Sequence, residues 1–169
     1  MIKILLIIAS ISFTACMENT KLKTVGSVDL DRYMGKWYEI AAYPHKFEMG
    51  CSCTTAEYEL TDKDYVRVIN SCKRNGSVSS IEGKAFIQKG SNNSKLKVQF
   101  FWPFRGKYWI IDLADDYSWA VVSHPSKNYL WILARKPSMD EQLFDKILQK
   151  LDKLGFDLKK IKKIVHDCE

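Results

Sequence analysis

Histidine is scarce in this chain. Among its 169 residues there are three, His45, His124 and His166, and no two stand in an H-x-x-x-H or similar ligand spacing. No G-x-S-x-G appears, so the sequence offers no nucleophile elbow. There is no paired C-x-x-C of the kind that builds a structural zinc site. Beyond the first residues, no apolar run approaches the roughly 20 residues that a bilayer-spanning helix needs. Repeats, low-complexity tracts and Pro/Gly linkers are missing too, so nothing divides the chain, and its length suits one domain with a real core. Net charge is +6, with Lys159, Lys160, Lys162 and Lys163 crowded near the end. No RNA- or DNA-binding motif accompanies these lysines, and they read as a solvated face. An enzyme, a metal protein and a nucleic-acid binder all lack their signals.

What is present begins at the N-terminus. Met1 to Ala15 reads MIKILLIIASISFTA, a lysine followed by a short apolar run and small residues, the layout of an export signal. The F-T-A-C that follows resembles the lipobox of bacterial lipoproteins, with Phe13 where that family usually has Leu. The resemblance implies cleavage before Cys16 and lipidation of that cysteine, giving the multiple acyl chains that stable anchoring needs. Met17 rather than Asp after the cysteine resembles the pattern of lipoproteins released to the outer membrane. The expected organisation is a lipoprotein signal peptide at 1–15, a lipidated Cys16 with a polar tether at 16–28, and one domain at 29–169. Export to an oxidising compartment also makes disulfides the expected state of Cys51, Cys53, Cys72 and Cys168, an even set once Cys16 is lipidated.

From Gly35 to Arg135 the chain reads as short alternating strands. Eight are expected, at 36–43, 54–61, 64–71, 80–88, 95–102, 107–113, 118–123 and 129–135. Turn chemistry separates them, at Asp62-Lys63, Asn75-Gly76, Ser91-Asn92-Asn93, Asp115-Asp116 and Pro125-Ser126. Short connections imply antiparallel neighbours, and eight strands in up-and-down order favour a closed barrel. The fold class is therefore all-β, an eight-stranded antiparallel up-and-down barrel with one C-terminal α-helix packed outside. Ser138-Met139-Asp140-Glu141 predicts the start of that helix, with Ser138 as N-cap. Leu143, Phe144, Ile147, Leu148, Leu151 and Leu154 give its apolar stripe, and Gly155 its end. The tail beyond Phe156 is expected to run beside the barrel in extended form.

Gly35-Lys36-Trp37-Tyr38-Glu39-Ile40-Ala41 resembles the G-x-W signature that opens the lipocalin barrel. Asp116 and Tyr117, in DLADDYSWAVV, resemble the second lipocalin motif, and Arg135, ending YLWILAR, resembles the arginine of the third. FFWPFRGKY and EGKAF bring the chain nearer to the bacterial branch, the outer-membrane lipoprotein lipocalins. The resemblance spans roughly residues 29 to 166. It implies that Trp37 plugs the closed end with the Arg135 guanidinium on its indole. Cys53 resembles a position that apolipoprotein-D-like lipocalins join to the C-terminal tail, which implies Cys53–Cys168 with Cys51–Cys72. A hairpin about residues 61–63 also permits Cys53–Cys72 with Cys51–Cys168.

Side-chain alternation assigns an inward face of Ala56, Tyr58, Val66, Val68, Gly83, Ala85, Val98, Phe100, Tyr108, Ile110, Ala120, Val122, Tyr129 and Trp131. Small residues among aromatics suit a narrow apolar cavity. His45, Trp102, Phe104 and Arg105, with Lys46 and Phe47, are expected at the mouth, Arg105 near a lipid carboxylate or phosphate. The family resemblance implies storage or transport of fatty acids or lysophospholipids without catalysis, at the outer membrane. Expected partners are such a lipid and the membrane reached through Cys16, with the protein a monomer or weak dimer. No cofactor or metal is expected. The alternative is a surface-exposed interaction lipoprotein, an adhesin or immune-facing protein, whose barrel is filled.

Overall fold

The computed structural model describes residues 22–45 and 49–168. The leader 1–15, Cys16 and residues 17–21 of the tether lie outside the described residues, as do Lys46 and Phe47.

A four-residue helix, α1 (Leu30–Tyr33), precedes eight strands: β1 (Gly35–Ala42), β2 (Ser52–Leu60), β3 (Val66–Arg74), β4 (Ser77–Ile87), β5 (Lys95–Gln99), β6 (Gly106–Leu113), β7 (Trp119–Ser123) and β8 (Leu130–Ala134). Each strand pairs antiparallel with the next, β8 returns to β1, and β1 also pairs β2 through Gly35↔Tyr58 and Trp37↔Ala56, so the sheet closes on itself. Closure removes the free edges an open sheet would expose. Asn75 and Gly76 both have positive φ, 50° and 79°, as the tight turn between β3 and β4 requires.

The helix α2 (Glu141–Lys153) lies outside. Its N-cap is Asp140, not Ser138: the Asp140 carboxylate accepts from Leu143 N–H at 3.0 Å. Both residues are competent caps, and the chain direction into the helix chose the later one. Phe144, Ile147 and Leu151 are buried on one stripe against the outer faces of β1, β7 and β8. Gly155, at φ 77°, donates to Asp152 O, and Phe156 N–H donates to Leu151 O at 3.0 Å. This paired closure satisfies the last carbonyls of the helix.

The tail forms a 3₁₀ turn, Leu158–Lys160, and a two-residue strand, β9 (Lys162–Lys163), paired with Ala41 and Ala42 of β1. Ile164 N–H then donates to Ile40 O, Cys53 N–H donates to Val165 O, and Cys168 is bonded to Cys53. The tail thus fills the seam where the upper part of β1 leaves β2. His166 is part of this seam, its Nε2 donating to Glu39 O at 2.9 Å. The second disulfide joins Cys51 to Cys72. Residues 22–28, polar in composition, are packed rather than slack: Leu22 and Val28 are buried, and Val25 N–H donates to Ile110 O.

Candidate ligand-binding site

The barrel interior has two halves. At the closed end Trp37, Ile110, Ala120, Val122, Ala85, Val66, Val68 and Tyr58 are all nearly without solvent contact, joined by Leu96 and Leu133. Nearer the mouth, residues that share the same inward face keep partial exposure: Ala56, Val98, Phe100, Tyr108 and Trp131. Ile81, on the inward face opposite Asn70, is still 37% exposed. Solvent therefore enters the upper half and stops at a packed floor.

The signature residues of the sequence build that floor from outside. The Arg135 guanidinium lies 3.7 Å from the Trp37 ring centroid and donates to the carbonyls of Lys36, Arg32 and Tyr33. Trp37 Nε1 donates to Tyr33 O at 2.8 Å. Gly35 has φ 87°, and an added Cβ would meet Arg135 Nη1 at 3.6 Å. Asp116 accepts from Ser118 N–H at 3.0 Å; hydrogen bonding from the Ser118 side chain, and then from its backbone, holds the carboxyl below the usual range, and the Tyr117 hydroxyl accepts from Asp29 N–H at 2.8 Å. Arg32 stacks on the Tyr117 ring at 4.1 Å. These residues close one end of the barrel.

Above the floor sits a polar cluster. The Tyr58 hydroxyl donates to that of Tyr108 at 2.9 Å, and Tyr108 shares a 2.8 Å bond with Tyr33. Burial pushes all three phenols up, Tyr58 to about 12, with the nearby Glu39 charge adding to the shift of Tyr58. Glu39 is buried and shares the inward face of Trp37. The side-chain oxygens Thr54 Oγ1 and Asn70 Oδ1 are buried without a partner among the described residues. The interior can thus meet a polar atom of a bound molecule as well as an apolar chain.

Two inward positions behave differently from a simple count of small side chains. Gly83 leaves no free volume: an added Cβ would lie 2.7 Å from Gln99 O and 2.7 Å from Phe100 Cδ1, because the Phe100 ring covers it. Tyr129 precedes β8 and sits on the rim, 45% exposed, stacked on Trp131 with ring centroids 6.0 Å apart. His45 packs edge-on to Trp131 at 5.8 Å, on the same side of the mouth. Trp102 and Phe104 stand in the β5–β6 loop with 87% and 77% exposure. Arg105 points away from the opening: its guanidinium lies 3.8 Å over the ring of Phe86, whose neighbour Ala85 is the inward one. That cation–π contact on the outer wall replaces the expected headgroup contact inside.

Tyr33 and Glu39 were not among the sequence candidates. Tyr33 comes from a helix too short to show periodicity. Glu39 was legible, since it alternates with Trp37, but an inward carboxylate contradicts the rule that charge faces water. Outside the barrel, a groove of about 340 Å³ runs between α2 and β6–β7, crossed by a Lys150–Asp112 ion pair of 2.8 Å. Cys53, Cys168 and Asp167 cluster closely, but the two sulfurs are bonded to each other.

A closed eight-stranded barrel with a plugged floor, inward aromatic residues left partly exposed above it and one external helix defines a barrel of the lipocalin type. The comparisons agree: residues 28–166 match the model of the lipocalin-like domain, and the chain belongs to the lipocalin family. It is 37% identical to the outer membrane lipoprotein Blc of Vibrio cholerae, over 94% of this chain and 95% of that one. It is 39% identical to bovine apolipoprotein D over 64% of this chain and 61% of the other. Among solved structures, insecticyanin from the tobacco hornworm Manduca sexta superposes with a TM-score of 0.71 at 25% identity, covering 86% of this chain and 85% of its own.

Proposed function

We propose that this protein is a lipid-anchored lipocalin of the outer membrane that holds a single-chain amphipathic lipid, a fatty acid or a lysophospholipid, in the upper half of its barrel. The observation that carries the reading is the graded interior: a sealed apolar floor below, and inward residues still open to solvent above. An acyl chain entering past Trp131 and Phe100 would be desolvated at about 0.8 kcal/mol per buried CH₂. The tyrosine hydroxyls and Asn70 would meet polar atoms carried inside. The process is passive capture and release, without bond chemistry. The anchoring part rests on the lipobox at Cys16 and on similarity to a protein named as an outer membrane lipoprotein.

The test is a titration of the delipidated domain, residues 17–169, with oleate and with a lysophosphatidylcholine, followed by tryptophan fluorescence. Saturable one-to-one binding supports the reading. No binding by a folded, oxidised domain would leave a filled barrel and the surface-interaction alternative.

A further inference from the structure

The two ends of the barrel differ in a way that cargo binding does not require. Among the described residues, the loops of the closed end expose few large apolar side chains. By sequence these loops carry Asp62, Asp64, Asp115 and Asp116 against Lys63 and Lys89, with Arg32, Lys36, Arg135 and Lys136 beside them, so this end is mixed in charge. At the mouth, all four connections present exposed apolar groups: Met49 from the β1–β2 loop, Val78 beside the β3–β4 turn, Phe101, Trp102 and Phe104 from the β5–β6 loop, and Tyr129 from the β7–β8 loop. Their exposure runs from 45% for Tyr129 to 87% for Trp102. Among the described residues, the same connections and their flanks carry Lys73, Arg74, Lys107 and Lys127, with Asp167 on the tail pinned to Cys53.

Trp102 and Phe104 are not cavity walls, because side chains this exposed contact little of their own protein. Nor is their loop shapeless: Phe104 N–H donates to Phe101 O at 2.9 Å, closing a turn that holds the aromatic tip outward. Exposed apolar patches with a polar rim mark interaction surfaces. Tryptophan and tyrosine favour the headgroup level of bilayers, and surrounding cations favour anionic lipid.

We propose that the mouth is itself a docking surface for a phospholipid leaflet. Trp102 and Phe104 enter the headgroup–acyl boundary, and Lys73 and Lys107 face anionic headgroups. The closed end would then point away from the bilayer. Six peptide steps separate Cys16 from the buried Leu22, a reach of about 20 Å at most, so an anchored Cys16 would keep the barrel near a membrane without setting which end faces it. The surface is distinct from that anchor, and it would let a cargo lipid pass between leaflet and cavity without crossing open water.

The experiment is flotation of residues 17–169, which contain every described residue of the fold but no acylated cysteine, with vesicles of phosphatidylethanolamine and phosphatidylglycerol. Wild type is expected to float with the vesicles, with less bound as salt rises. Trp102→Ser/Phe104→Ser is expected to lose at least tenfold in vesicle partition while keeping wild-type circular dichroism and wild-type affinity for submicellar lysophosphatidylcholine. Lys73→Glu/Lys107→Glu should weaken binding to these vesicles more than to neutral ones. Vesicle binding unchanged in the Trp102/Phe104 variant overturns the proposal. So does a wild type that fails to float and instead dimerises through Trp102, which would assign the patch to a second copy. Loss of lysolipid binding with flotation intact would count against the carrier reading alone.

Discussion

Arg135 lies flat on Trp37, 3.7 Å from guanidinium carbon to ring centroid, although 98 residues separate them in the chain. The same guanidinium holds three carbonyls of the α1–β1 segment, so one side chain ties the end of β8 to the start of β1. Trp37→Ala removes a fully buried indole and leaves that cation without its platform. It should cost about 3–5 kcal/mol in urea denaturation. Arg135→Lys keeps the charge but loses the planar fork, and about 1–2 kcal/mol is expected.

Trp131 is inward and half-buried, stacked on Tyr129 in the open half. Trp131→Ala should weaken lysolipid binding by roughly tenfold, about 1.4 kcal/mol, while the melting temperature changes little. Binding equal to wild type would show that the chamber lies elsewhere.

Gly83 is a packing glycine, with backbone oxygen and an aromatic ring both 2.7 Å from any added Cβ. Gly83→Ala should destabilise by about 1–3 kcal/mol. Phe100→Ala in the same chain should restore only part of this, because Gln99 O belongs to the backbone and cannot swing aside. Thermal melts of the single and double variants check both points.

The Cys53–Cys168 bond closes 115 residues and pins the tail across the β1–β2 seam. In the chain-entropy account a loop of that size stabilises by about 4–5 kcal/mol. Cys53→Ala/Cys168→Ala should lower stability by up to that amount. Hydrogen exchange should rise first at Ile164 and in the upper part of β1.

Tyr33, Tyr58 and Tyr108 are three of the eight tyrosines, and burial holds all three phenols protonated beyond the ordinary value near 10. Their folded pKa values exceed the unfolded ones, so above pH 10 the folded state keeps protons that the unfolded chain has lost. Their contribution is fully present below pH 10 and falls as pH rises. For Tyr58, the window from 10 to about 12 corresponds to roughly 3 kcal/mol. Tyrosinate absorbance should show these three ionising late, together with unfolding.

Local periodicity carried most of the architecture. Two-residue alternation placed the eight strands within a few residues of their ends and selected the inward face of β2, β3 and β4, because a pleated strand has only two faces. The apolar stripe from Phe144 to Leu151 marked the helix for the same kind of reason. What the amino-acid order did not reveal are relations between segments distant in the chain. Gly83 read as free space, yet the ring of Phe100 fills it, since volume depends on the facing strand. Arg105 read as a mouth cation, yet it turns onto Phe86, because an arginine goes to whichever aromatic face its loop brings near. The tyrosine cluster joins α1, β2 and β6, and the tail packs across the β1–β2 seam; the Cys53–Cys168 link at its end was implied only by the family resemblance. Composition and spacing determined which residues could be inside; only closure of the barrel decided which of them touch, and where the interior stays open.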